Sequence, residues 1–156
     1  MMKTSLVVVG MALLLGGCDL VYGVQRSASL SVSPELACVQ RTIELTDGVA
    51  TVTLQARHNG KGLFHPTPWV YDFVYSGRQD SGIFGSLQVI KTYDGHFTYS
   101  NSLLAFHQPP PQSSIDVTRP VMRAIEKNIA ARCGITELTA GVREDCPGVI
   151  CKPLPN

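Results

Sequence analysis

Cysteine and histidine are the residue types best able to do chemistry in this chain of 156 residues, which carries five of the first and four of the second. The histidines stand at 58, 65, 96 and 107. None of their spacings matches HxH or HxxxH, and a metal centre needs imidazoles at defined spacing backed by a thiolate or carboxylate. His58 and His65 flank one turn region and His96 sits on a hairpin. We therefore expect loop and surface histidines, with no metal and no other cofactor. The cysteines include no CxxC pair and have no histidine near them in sequence, which argues against a redox or thiolate-metal site. Hydrolytic motifs are missing too: GIFGS at 82–86 is not a GxSxG elbow, and no HExxH or DxD occurs. Asp72, between Tyr71 and Phe73, should point to solvent. An enzyme would need His96, His107 or Asp72 brought against a serine in space, so the expectation is a protein without catalysis.

Recognition is better represented than catalysis. Residues 69–76 (WVYDFVYS) alternate, which places Trp69, Tyr71, Phe73 and Tyr75 on one side of a strand. The inner part of such a stripe reads as core. Trp69 is the only tryptophan and opens the strand beside two prolines, with Phe64 nearby. Phe64, Trp69 and Tyr71 are thus the candidates for contact with a partner or a small apolar ligand.

The N-terminus supplies an address. Lys3 precedes the apolar run Leu6–Leu15, which is too short to span ~30 Å of hydrocarbon as a helix. Leu15-Gly16-Gly17-Cys18 follows. This stretch resembles the lipobox of bacterial lipoproteins, in which small residues fit the peptidase and the cysteine thiol receives the lipid. The resemblance implies cleavage before Cys18, a diacylglycerol thioether on its sulfur and an acylated (often palmitoylated) amine. At about 0.8 kcal/mol per buried CH₂, three acyl chains hold a protein on a membrane durably. Asp19 is similar to the enterobacterial signal for retention in the inner membrane, which tilts the expected location from outer to inner membrane, facing the periplasm.

Composition agrees with a single exported domain. Hydrophobic residues make up 44% and charged residues 16%, which excludes a disordered chain. Removing residues 1–17 removes Lys3 and leaves twelve basic against twelve acidic side chains. A neutral chain lacks the basic stripe of a nucleic-acid binder. In an oxidising compartment the remaining four cysteines, Cys38, Cys133, Cys146 and Cys151, should form structural disulfides. The favoured pairs are Cys146–Cys151, closing CPGVIC, and Cys38–Cys133, tying an early helix to a late one.

The elements that must position these residues follow from pattern. Residues 18–33 read as a lipidated tether, with a short alternating stretch at Ser27–Val32. Ser33-Pro34-Glu35 reads as the N-cap and first turn of a helix over 34–45. Strands are expected at 49–57, 69–76, 87–93 and 96–104, the last two around the hairpin signal Asp94-Gly95. A second helix starts from Asp116 or Thr118 and runs to Cys133, with Gly134 as its stop. A last strand covers Ile135–Arg143, and 146–156 form a Cys-closed, proline-rich tail.

Val39, Ile43, Gly48, Val49 and Val52 recur as Ile125, Ile129, Gly134, Ile135 and Leu138, offset by 86 positions. Each half would be helix, glycine stop, strand, the cadence of a split βαβ, ferredoxin-like plait with an extra hairpin. The cadence is also similar to heavy-metal-associated domains, but Ser31-Val32-Ser33-Pro34 stands where their cysteine pair lies, so only the shape carries over. The expected fold over 34–145 is α+β: an antiparallel sheet of about five strands, two helices on one face, two disulfides. The expected function is an envelope lipoprotein that binds another envelope protein as an accessory or assembly component. The alternative is a periplasmic small-ligand-binding module using the aromatic face.

Overall fold

The computed structural model describes residues 20–58, 69–92 and 94–154. Cys18, Asp19 and Phe64, together with the 1–17 segment, lie outside the described residues. The order of elements is β1 (Val21–Leu30), α1 (Leu36–Glu44), β2 (Thr51–His58), β3 (Trp69–Ser76), β4 (Phe84–Lys91), β5 (Phe97–Phe106), α2 (Gln112–Cys133), α3 (Glu137–Ala140) and β6 (Arg143–Asp145). All pairings are antiparallel, in a six-stranded sheet of order β2-β3-β4-β5-β1-β6. The protein is α+β, and both disulfides, Cys38–Cys133 and Cys146–Cys151, are formed.

The main core joins the sheet to both long helices. Phe73 and Tyr75 of β3, Leu87 and Val89 of β4 and Tyr99 of β5 are buried with Val39 and Ile43 of α1 and Val121, Ile125 and Ile129 of α2. Full burial of side chains this size contributes roughly 1.5–3 kcal/mol each. A smaller cluster holds Val24, Leu103, Ile115 and Met122, with Cys146, Val149 and Cys151 packed against it.

Several expectations need correction. Residues 21–30 are no tether: they form β1, paired on one side to β5 and on the other to β6. Val24, Ala28 and Leu30 are buried, but Arg26, at the inward position between Val24 and Ala28, interrupts the apolar alternation that marks a strand. A glycine is needed at position 23. Its φ is +135°, and a Cβ would lie 1.9 Å from the Leu103 carbonyl oxygen. Its N–H donates to the Pro147 carbonyl at 3.0 Å, so the 146–151 loop is docked on β1 and does not trail from the domain.

The expected strand 135–143 is also replaced. Ile135 and Leu138, three apart and both buried, serve a single helical turn, α3, before the three-residue β6. The residue-by-residue echo between the halves therefore stops at Gly134, whose φ of +70° ends α2 in the left-handed region. α2 starts at Gln112, ahead of both cap candidates, after the 109–111 proline run, and holds Pro120 inside. α1 starts at Leu36 with Glu35 at the cap position, so Ser33 does not cap it. The β4–β5 hairpin is longer than two residues: Lys91 pairs with Phe97, Thr92 N–H donates to His96 O, and Gly95 takes a φ of +84°. β4 itself begins earlier, at Phe84.

Candidate functional site

Trp69 and Tyr71 lie next to the sheet's open edge. Both project from the β3 side that carries Phe73 and Tyr75, but burial declines along the stripe. Phe73 and Tyr75 are fully buried, Tyr71 is half-buried, and Trp69 is 45% exposed. The two outer rings stack, with centroids 6.4 Å apart and planes 13° apart. Across the pairing, Ala56 stands opposite Tyr71 and Leu54 opposite Phe73. Among the described residues β2 ends the sheet, and from Thr51 to Ala56 only Val52 is even half-buried. The strand's position at the sheet edge explains this exposure.

The two edges of the sheet differ in kind. β6 has three residues, all charged, which is how natural sheets blunt an edge. β2 has eight residues, and Thr51–Ala56 contains no charge and no proline. An edge of that length and composition offers a row of backbone donors and acceptors to an incoming strand. Leu54, Trp69 and Tyr71 beside it supply apolar contact.

A second cluster went unnoticed in the sequence. The Arg26 guanidinium donates from Nε to Glu126 Oε1 at 2.8 Å and from Nη2 to Oε2 at 2.9 Å, a bidentate pair. Its Nη1 donates to Glu144, which also accepts from Arg119. Arg119 Nη1 donates in turn to the Lys152 carbonyl at 2.6 Å. Burial raises the pKa of Glu126 above 4.5, although the Arg26 hydrogen bonds oppose the rise. Burial acts the same way on Glu144, but hydrogen bonds from Arg119 and Arg26 outweigh it and hold that carboxyl below 4.5. Burial also raises Tyr75 and Tyr99, whose hydroxyls donate to Asn101 and Glu126. One sign was available in the sequence: Glu126 falls four residues after Met122 and three before Ile129, inside the apolar stripe of α2.

Above this network a groove of about 540 Å³ runs between α2 and α3. Arg26 and Glu126 line it together with Ala124, Leu138 and Val142, and exposed Arg123 and Lys127 form its rim. Trp69 and Tyr71 do not line it.

Among the remaining chemical candidates that are described, Asp72 meets a serine. Asp72 is buried at 8% exposure, contrary to the solvent position expected of it. It accepts hydrogen bonds from the Ser86 hydroxyl and from Gln88 Nε2 at 3.3 Å, within a polar row across the sheet. His96 stands exposed in the hairpin, 3.8 Å from Asp94, and His107 follows β5 with a φ of +69°. Glu144 lies beside the Cys146 and Cys151 sulfurs. Both sulfurs are spent in a disulfide and two guanidinium groups hold the carboxylate, so the trio offers no thiolate to a cation. Among the described residues no helix is long and apolar enough to cross a membrane. No protein-family model, no curated protein and no solved structure matches the chain.

Proposed function

We propose that this chain is a non-enzymatic bacterial lipoprotein, anchored through acylated Cys18 and facing the periplasm, that binds another envelope protein as an accessory or assembly component. The observation that carries the binding is the β2 edge, exposed and uncharged over Thr51–Ala56, with Leu54, Trp69 and Tyr71 beside it. Strand addition there would satisfy the free backbone groups of β2, while the stacked aromatic pair would supply the apolar anchor. The anchoring rests on Leu15-Gly16-Gly17-Cys18, and Asp19 places the protein at the inner membrane in this reading.

The fold in this reading is a ferredoxin-like plait enlarged by one hairpin. β1-α1-β2 and β5-α2-β6 are its two split βαβ units, β3–β4 is the insertion, and both helices lie on one face. Support comes from the strand order, and from a core in which α1 and α2 share the same sheet residues.

The test is affinity purification of the tagged, lipidated protein from solubilised membranes after cross-linking in cells. A stoichiometric partner lost on Thr53→Lys and Trp69→Ser is expected. A solitary band, or capture indifferent to both substitutions, would overturn the proposal. The second reading, a small-ligand-binding module, is favoured only by the α2–α3 groove, away from the aromatic face. A ligand bound there would raise the melting temperature as its concentration rises.

A further inference from the structure

The described chain exposes nine large hydrophobic side chains, and they are unevenly placed. The antiparallel register puts the start of β1, the end of β5, the start of β4 and the start of β2 at one end of the sheet. Leu20 is 60% exposed and its carbonyl accepts from the His107 N–H, which sets it beside Phe106, 61% exposed. Phe84 opens β4 at this same end. Leu45 closes α1 just before β2, and Val117 lies in the second turn of α2, 3.5 Å from the Cβ position of Gly82 in the β3–β4 loop. Ile150, 74% exposed, caps the disulfide loop that packs on Tyr22 and Gly23, and its carbonyl accepts from Gln112 at the start of α2. Six of the nine thus gather at the end where β1 begins. Of the others, Trp69 and Val32 belong to the opposite end and Leu54 to the middle of β2.

That is also the end where a lipid would be attached. Val21 is three residues from Cys18, a span of at most ~10 Å for extended chain. We infer that this end, where Asp47, Arg78 and Asp80 are exposed among the apolar side chains, rests on the lipid surface. An acylated Cys18 would hold it within a side chain's reach of the bilayer interface, where apolar residues lose their contact with water. The proposal rests on the lipoprotein reading above. It adds an orientation: the Leu20–Phe106 end meets lipid, while Trp69, about 25 Å away along β3, faces the periplasm.

The experiment uses the full-length protein in native membranes containing a diazirine-bearing phospholipid, with cross-linked peptides mapped by mass spectrometry. Labelling of peptides holding Phe84, Phe106 and Ile150 is expected, without labelling around Trp69. Phe84→Asp with Phe106→Asp should cut the labelling at least five-fold while the protein still pellets with carbonate-washed membranes, because the acyl chains remain. Labelling centred on Trp69, or unchanged by the double substitution, would overturn the orientation and leave the anchor standing. A Cys18 found without lipid in the same mass spectra would overturn both.

Discussion

Glu126 and Glu144 share Arg26, yet they push the pH dependence of stability in opposite directions. Burial holds the Glu126 carboxyl above the usual carboxylate range in the fold, so stability is lost as pH rises through its folded pKa. Glu144 titrates below 4.5; its contribution is complete above that pH and is lost as pH falls through the folded pKa. Glu144→Gln should therefore flatten the acid side of the stability curve, visible in urea midpoints collected from about pH 3 to 7. An acid limb as steep as that of the parent protein would remove Glu144 from this role. A second residue-scale prediction concerns Gly23, where an added Cβ would run into backbone and the φ of +135° strains any side chain. Gly23→Ala should destabilise by more than about 2 kcal/mol, against ~0.5 for an ordinary surface change. Equal denaturant midpoints for the two proteins would contradict the close β1–β5 approach.

Among the elements, the link between α1 and α2 is the one most open to test. The Cys38–Cys133 bridge closes a loop with a sequence separation of 95. Constraint of the unfolded chain predicts about 4–5 kcal/mol from that closure. Cys38→Ser with Cys133→Ser should lower the melting temperature by on the order of 10 °C. The same pair of helices shows which features were legible beforehand. Cys133 continued the stripe of Met122, Ile125 and Ile129, and Cys38 sat on the flank of α1 where a second helix could lie, so the pairing could be inferred from local periodicity. β3 was equally plain, because its alternation is unbroken from Trp69 to Ser76. β1 was not, because its inward positions include Arg26, whose partners Glu126 and Glu144 lie 100 and 118 positions away. A charge facing inward looks like a loop until its partners are known. α3 was hidden for a related reason: Ile135 and Leu138 fit the start of a strand as well as one helical turn. At the candidate site, Trp69 and Tyr71 were found by type and spacing. The bare edge beside them depends on where β2 falls in the sheet order, which no local pattern contains.

For the molecule as a whole, the replacement of a tether by β1 changes how it would sit in a cell. With Cys18 acylated, the domain would lie directly against the membrane, with no flexible stalk beneath it. Cys18→Ala should move the protein into the soluble fraction, and persistent attachment after a carbonate wash would sink the anchor. One further consequence follows from the place of β1 between β5 and β6. The first strand among the described residues has its partners at residues 97–106 and 143–145. Contacts that distant form late and slowly. β1 must therefore wait, unpaired, until those later residues have been made, and the sheet around it closes last.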